Sequence, residues 1–150
     1  MSDDEVAAFL AQERTVMCAT NGRDGWPHLM PLWYVVRAAD GDGPELWAWT
    51  YAASQKVKNL ERDPRATLQV EAGDTYDQLR GVMLKTDVVI HRATAAVAAL
   101  GAEIFTRHAG GELAPAVREM VQGQAPKRVA LQFVERERAT WDHRKLGGGY

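Results

Sequence analysis

Apolar and polar residues alternate along several short stretches of the chain, a pattern typical of β-strands with one buried face. Two clusters rich in Gly, Asn and Asp, at 21–25 and 40–44, predict tight turns between the first strands. Parallel strands would need long helical crossovers, so the pattern favours a closed antiparallel barrel. Six to seven strands are predicted, over 15–20, 27–38, 46–51, 66–71, 81–91 and 127–135, with 137–141 extending the sheet after a bend.

The segments around these strands carry helix signals. Ser2 stands before three acidic residues and then apolar residues at helical spacing, which predicts an N-terminal helix. Ser54 is expected to cap a second helix through its hydroxyl, over about 55–62, and Pro64 to end it. Further helices are predicted over 94–107 and for roughly ten residues after 112. The expected fold class is mainly β with peripheral helices (α+β), in a single domain spanning 1–150.

Two features of the first strands draw attention to a possible ligand. Pro27 and Pro31 cannot donate ladder hydrogen bonds, so their strand should have an edge or a bulge near its start, where its backbone can face a ligand. Trp47 and Trp49 lie two apart and share a face of the next strand. A flat aromatic ligand would fit beside them, although packing in a small barrel core is the competing interpretation.

The segment 50–65 is the strongest candidate for a binding site. The start of its helix should present free N–H groups and a partial positive charge, and Lys56 and Lys58 add two cations there. Asn59 lies on the same side of the helix as Lys56 and could supply an amide. The pattern indicates a site for an anion such as a phosphate tail, and a solvated charged helix face is the competing interpretation.

Composition limits the other partners. The 150 residues include 18 basic and 20 acidic side chains, a formal net charge of −2, so no general positive field should attract nucleic acid or an anionic membrane. Cys18 lies in an apolar run and is expected to be a small buried side chain in a reducing compartment. No targeting segment or membrane span is recognised, which predicts a cytoplasmic location.

Several enzyme classes find no support in the sequence. The histidines are scattered and no Gly-x-Ser-x-Gly elbow is present, which argues against a Ser-His-Asp hydrolase. One cysteine and no suitably spaced histidine pair leave no set of metal ligands, so no metal is expected. Rossmann and P-loop motifs are also missing. The four histidines are His28, His91, His108 and His143.

An ordered set of short motifs extends over nearly the whole chain. They are ATNG at 19–22, GWPH at 25–28, PLWY at 31–34, SQKVKNL at 54–60, RDPR at 62–65, GDTYD at 73–77, LRGV at 79–82, KRV at 127–129 and WDHRKLG at 141–147. By these motifs the chain resembles the split β-barrel flavin and deazaflavin oxidoreductases, the superfamily of pyridoxamine 5'-phosphate oxidase. It is most similar to the actinobacterial branch that uses the deazaflavin coenzyme F420.

The resemblance implies a homodimer with cofactor sites at the subunit interface. The cofactor ring would lie along the strand containing Met30, Pro31, Leu32 and Trp33, and the phosphate would meet the segment from Thr50 to Asn59. Ser54 stands where related proteins have Arg, which removes one phosphate contact. The cofactor-binding residues that the resemblance implies are Met30, Pro31, Leu32, Trp33, Trp49, Thr50, Ser54, Lys56, Asn59, Tyr76, Arg80 and Lys127.

The activity that the resemblance implies is hydride transfer from reduced coenzyme F420 to an unsaturated organic acceptor, with the cofactor supplying the chemistry. Two other functions stay open: an FMN-dependent oxidase of the same fold, and a carrier that binds F420 or a flavin without turnover. No residue is an obvious proton donor, and Tyr76, His28 and solvent are all candidates. The catalytic residue is left unassigned.

Overall fold

The strands of the molecule form one closed antiparallel barrel. The computed structural model describes residues 1–39 and 43–147. In these ranges the strands are β1 (Thr15–Asn21), β2 (Pro27–Ala38), β3 (Pro44–Tyr51), β4 (Arg65–Ala72), β5 (Arg80–His91) and β6 (Arg128–Asp142). They pair around the barrel in the order β1-β2-β3-β6-β5-β4, and β4 closes the ring against β1.

Helices surround the barrel, so the predicted fold class is confirmed. They are α1 (Asp3–Gln12), α2 (Gln55–Arg62), α3 (Thr94–Ala109) and α4 (Pro115–Gln124), with short 3-10 turns at Tyr76–Gln78, Ala125–Lys127 and His143–Lys145. The turn predicted over 40–44 includes 40–42, which lie outside the described residues. The assignment of 1–150 to a single domain stays a prediction.

Every second side chain along a strand points into the barrel interior and fills it. In β4, Ala66, Leu68 and Val70 are buried and their neighbours along the strand are exposed. Cys18 lies in the same core, and burial raises the pKa of its thiol to about 12. Cys18 is therefore the small buried side chain that was predicted. A second apolar cluster forms where α3 covers the outside of the sheet, and it includes Val35, Trp49, Leu100 and Ile104.

The two helices α1 and α2 cover opposite ends of the barrel. α1 begins with a capping box in which the Ser2 hydroxyl accepts a hydrogen bond from the Glu5 N–H and the Glu5 carboxylate accepts one from the Ser2 N–H. The end of α1 lies beside β5, where Arg80 donates to the Gln12 amide oxygen at 3.3 Å. α2 has the predicted bounds and leads directly into the start of β4 at Arg65.

The C-terminal part of the chain differs from the prediction in two places. The expected bend after Glu135 is a one-residue bulge within a continuous β6, because Thr86 pairs with Glu135 and Lys85 pairs with Glu137. The basic run at 142–145 and the glycines at 147–149 predict a flexible tail after β6, and this prediction is wrong for His143–Lys145. That segment forms a 3-10 turn whose last side chain, Lys145, binds the Glu5 carboxylate at 2.6 Å.

Candidate functional site

The barrel is a closed ring, but β2 and β3 separate toward α2. The last pair of their ladder on the side of α2 is Tyr34 opposite Ala48. Beyond it, no pair joins the two strands in the described residues. Residues 27–33 pair only with β1, and 49–51 pair only with β6. Pro31 would face Tyr51 if the ladder continued, and it has no N–H to donate. The predicted edge at the start of β2 is therefore present, and we call the opening between 27–33 and 49–51 the split.

One wall of the split is an exposed apolar strand. Leu29, Met30 and Trp33 are 56%, 44% and 46% exposed, and Trp26 in the preceding turn is 76% exposed. Leu32 instead points into the barrel core and is buried. Among the residues predicted to line the cofactor ring, Met30, Pro31 and Trp33 thus present surface at the split. A flat apolar ligand could lie against this strand.

Lys56 lies beneath the other wall of the split. It is only 7% exposed, and its Nζ donates a hydrogen bond to the Thr50 hydroxyl at 3.1 Å. Within the described ranges it is the one charged residue that is buried, and no carboxylate pairs with it. Burial, and secondarily the Arg128 guanidinium, lower the pKa of Lys56, while Cys18 opposes the shift. The ammonium keeps N–H donors for which the described residues offer no partner.

Asn59 lies next to Lys56 on the buried side of α2. Its side chain is fully buried, its Nδ2 donates to the Thr20 hydroxyl at 3.1 Å, and its Oδ1 accepts from Gln55 at 2.9 Å. The prediction that Lys56 and Asn59 share one side of the helix is confirmed. The nitrogen and the oxygen of the Asn59 amide each already make a hydrogen bond within the protein. Asn59 therefore positions Gln55 and Thr20 as well as any ligand.

Two polar atoms beside α2 are buried without a hydrogen-bond partner in the described residues. The first is the Ser54 hydroxyl. Ser54 has the backbone conformation of an N-cap, but its hydroxyl makes no capping bond, so the predicted side-chain cap is wrong. The second is Nδ1 of His28. His28 lines a cleft of about 490 Å³ between the first hairpin turn and α2, together with Arg23, Trp26, Gln55 and Asn59.

Arg128 is a residue of this region that the sequence did not single out. Its guanidinium lies 4.3 Å from the centre of the Trp49 ring and 4.0 Å from the centre of the Tyr51 ring. Trp49 itself is 7% exposed and packs against Gly101 of α3, so the competing core interpretation holds for most of its ring. No local sequence signal brings the start of β6 next to Tyr51. The contact depends on the pairing of two distant strands.

The last turn of α3 supports Trp33. The His108 imidazole stacks on the indole with centroids 3.8 Å apart and ring planes 16° apart, and Phe105 touches both Trp33 and Trp49 edge-on. Nε2 of His108 is buried and has no partner in the described part of the chain. Burial, followed by the charges of Arg14 and Arg107, lowers the pKa of His108. His108 is therefore neutral near neutral pH.

The remaining predicted residues do not all join this site. Tyr76 packs against His143 at 4.6 Å, and Arg80 lies over the Phe9 ring at 5.0 Å, both near the barrel end that α1 covers. β4 runs from α2 to that end of the barrel, and its eight residues span roughly 23 Å at about 3.3 Å per residue. Lys127 is exposed near the split, and its carbonyl accepts from the Ala52 N–H at 3.0 Å.

With this geometry in place, comparison with known proteins identifies the family. A family model described as pyridoxamine 5'-phosphate oxidase matches residues 2–142. The chain belongs to the pyridoxamine 5'-phosphate oxidase family. The superfamily contains proteins that bind flavin or deazaflavin cofactors. No curated protein matches the sequence.

Solved structures share the fold of this family member. A conserved hypothetical protein from Mycobacterium tuberculosis is 41% identical, with a TM-score of 0.86 over 100% of this chain and 90% of the other. An F420 reductase is 20% identical, with a TM-score of 0.65 over 88% of this chain and 94% of the other. An FAD-binding protein from Mesorhizobium loti is 15% identical, with a TM-score of 0.68 over 93% and 94%. The last two likenesses show the fold alone.

The described residues of this family member contain neither a membrane-spanning helix nor a cluster of metal ligands. No helix in ranges 1–39 and 43–147 is long and apolar enough to cross a bilayer. No group of three or more His, Cys, Asp or Glu side chains in the same ranges is placed to hold a metal ion. The site at the split presents apolar strand surface, the buried ammonium of Lys56, the Arg128 guanidinium beside Tyr51 and unpartnered neutral polar atoms.

Proposed function

We propose that this protein binds coenzyme F420 in the split and transfers a hydride from the reduced deazaflavin to an unsaturated organic acceptor. The observation that carries the proposal is the buried ammonium of Lys56, which has one neutral partner and no carboxylate. The choice of F420 over FMN rests on the sequence resemblance to the F420-dependent branch.

The charge of Lys56 is the argument for an anionic group. An ammonium removed from water is destabilising unless an anion or several hydrogen bonds compensate it. Thr50 supplies one hydrogen bond, and the two other N–H groups find no acceptor in the described residues. A phosphate at this position would accept them and could also accept from the nearby unpartnered Ser54 hydroxyl. The residues present therefore fit the phosphate of such a cofactor.

The ring would occupy the wall that 27–33 form. Strand residues there lack a neighbour on the split side, so their backbone groups are free to bind polar ring atoms. Leu29, Met30 and Trp33 provide the apolar surface beside them. Residues of α3 hold Trp33 in place, which would orient a ring stacked near it.

The protein's part in the chemistry would be to bind, orient and exclude water. When bound, a deazaflavin supplies the hydride chemistry itself. Residues 27–33 of the ring wall include no carboxylic acid, so the proton donor stays unassigned between His28, Tyr76 and solvent.

A homodimer is part of the proposal. Tyr76 and Arg80 lie at the end of the barrel that is remote from Lys56, so one subunit cannot place them all on one cofactor. A second copy could bring its own Tyr76 to the split of the first. Light scattering should therefore show a dimer. Mixing Lys56→Ala with Tyr76→Ala subunits should restore one intact site per mixed dimer.

A titration with F420 and FMN tests the proposal. We expect micromolar binding of F420, about −8 kcal/mol, measured by quenching of deazaflavin fluorescence. Tight binding of FMN without binding of F420 would instead favour an FMN-dependent oxidase. If F420 binds, a screen of quinones, enones and tetrapyrroles for oxidation of the reduced cofactor follows. Binding without turnover of any acceptor would indicate a carrier.

A further inference from the structure

Aromatic rings line the outer face of the split. Trp49 belongs to the apolar cluster that α3 covers outside the sheet, and Tyr51, two residues further along β3, shares that face. Across the split, Trp33 is two residues from Val35 of the same cluster and also points outward. Phe105 of α3 contacts Trp33 and Trp49 edge-on, with ring centroids 5.8 and 6.0 Å apart. We call the surface formed by Trp33, Phe105, Trp49 and Tyr51 the outer mouth.

Arg128 of β6 adds a fixed positive charge to the outer mouth. Cζ of its guanidinium lies 4.3 Å from the centre of the Trp49 ring and 4.0 Å from the centre of the Tyr51 ring. Its Nε donates to the Gln124 side-chain oxygen at 2.9 Å. Two rings and one hydrogen bond hold the plane of the guanidinium, so this side chain loses little freedom when it binds a ligand.

The terminal nitrogens of the Arg128 guanidinium are unused. They make no hydrogen bond or ion pair with any residue in 1–39 or 43–147. Arginine keeps its charge at all ordinary pH values, and its donors form a planar fork that matches the two oxygens of a carboxylate. Beside this fork, Tyr51 and Trp33 are 50% and 46% exposed and offer ring surface to a flat ligand.

Lys56 is directed to the opposite face of β3. Its hydrogen-bond partner Thr50 is buried and lies between Trp49 and Tyr51 along the strand, so the Thr50 side chain points away from the outer mouth. A phosphate bound to Lys56 therefore leaves the Arg128 guanidinium available for a different anion. Hydride transfer requires the reacting atoms to be in contact, so the acceptor must lie against the cofactor ring. The outer mouth is the side of the split that α2 and the barrel core do not fill.

We propose that the outer mouth binds the acceptor and that Arg128 selects acceptors that are carboxylic acids. The flat conjugated part of the acceptor lies against Trp33 and Tyr51, and its carboxylate accepts hydrogen bonds from the terminal nitrogens of Arg128. This inference rests on the proposed function and names a substrate class for it. Arg128 is then a specificity-determining residue that contacts the acceptor and not the cofactor.

The experiment compares a flat unsaturated acid with its neutral amide. Isothermal titration calorimetry measures binding of trans-cinnamate and trans-cinnamamide to wild type, Arg128→Gln and Lys127→Gln, both without cofactor and with saturating oxidised F420. Wild type should bind the acid about 10- to 100-fold more tightly than the amide, the scale of a charge-assisted hydrogen bond. In Arg128→Gln the two ligands should bind equally. Lys127→Gln removes the neighbouring exposed cation and should keep the wild-type ratio.

The ratio of the two affinities separates recognition of the carboxylate from support of the rings. Equal weakening of acid and amide in Arg128→Gln would show that Arg128 only holds the rings in place, and would overturn the inference. A preference for the acid that survives in Arg128→Gln, or that wild type lacks in both cofactor states, would do the same. Circular dichroism confirms that each variant is folded.

Titration of F420 itself separates failure of this inference from failure of the proposed function. Arg128→Gln should bind F420 as tightly as wild type does. If Arg128→Gln weakens F420 binding and leaves the acid preference intact, Arg128 binds the cofactor and the inference fails. If neither F420 nor FMN binds but the acid preference depends on Arg128, the cofactor proposal fails and the acid-binding site stands.

Discussion

Gly101 of α3 leaves room for the ring of Trp49. A Cβ at this position would lie 2.5 Å from Cζ3 of Trp49 and 2.9 Å from two further ring atoms. Carbon atoms in contact normally lie about 3.5 to 4.0 Å apart. The indole has little room to withdraw, because the Arg128 guanidinium lies 4.3 Å from its ring centre. Gly101→Ala should therefore strain the packing of α3 on the barrel.

Two opposing effects determine how much Gly101→Ala changes the free energy of unfolding. Overpacking a core costs about 1 to 3 kcal/mol, and alanine gains up to about 1 kcal/mol over glycine within a helix. Because the ring is confined, we expect Gly101→Ala to lower the free energy of unfolding by about 1 to 2 kcal/mol. Gly123→Ala in α4 is the matched control, since its Cβ would meet nothing within 4 Å. That variant should be as stable as wild type or slightly more stable.

Urea denaturation and thermal denaturation, each followed by tryptophan fluorescence and circular dichroism, measure both variants. In a chain of this length the midpoint temperature of Gly101→Ala should fall by about 3 to 8 °C. If Gly101→Ala matches Gly123→Ala in stability, Trp49 can repack, and the argument that Arg128 and α3 confine it is wrong.

Three further predictions concern charged groups. Lys56→Ala should weaken F420 binding by about 1 to 3 kcal/mol in the fluorescence titration, while Lys58→Ala, at an exposed position of α2, should not. Since the pKa of Lys56 is lowered in the folded chain, the unfolded chain binds this proton more tightly. Ligand-free wild type should therefore gain stability as pH rises toward the ordinary lysine pKa, and Lys56→Met should lose that dependence in denaturation experiments. Because the pKa of His108 is also lowered, protonation should quench Trp33 fluorescence only below the ordinary histidine range, and His108→Phe should abolish the step.

Each of these predictions has an opposite outcome that is easy to recognise. An unchanged dissociation constant for Lys56→Ala would place the anion elsewhere. A wild-type stability that is as flat as that of Lys56→Met between neutral pH and the ordinary lysine pKa would mean that the pKa of Lys56 is not lowered and that Lys56 has a compensating partner. An acid step that survives in His108→Phe would belong to another group.

Local chemistry made much of the fold predictable. α2 ends before Pro64, which acts on its own neighbours, and it begins after Ser54, which has the backbone conformation of an N-cap but makes no capping hydrogen bond. β2 was predicted with its observed ends, and its two prolines indicated a free edge. Alternation predicted the buried faces because each strand has one side in the barrel.

Contacts between distant strands were not predictable from such signals. Arg128 meets Tyr51 because β3 pairs with β6, and nothing near either residue specifies that pairing. Tyr76 lies between β4 and β5, and the pairing of these two strands leaves it at the end of the barrel that is remote from Lys56. The Ser54 hydroxyl was assigned to a cap from residue type alone, but in the folded chain it is buried beside α2 without a capping bond.

The prolines of β2 have a consequence for the behaviour of the empty protein in solution. An exposed strand edge is a template for association with other chains, and proteins protect such edges with proline or charge. Residues 27, 29, 31 and 33 alternate along one edge of β2, and Pro27 and Pro31 leave donors only on Leu29 and Trp33. A foreign strand would find half the donors that it needs. A small ligand or a matching subunit that needs only a few backbone contacts would still bind, so the edge is selective against aggregation.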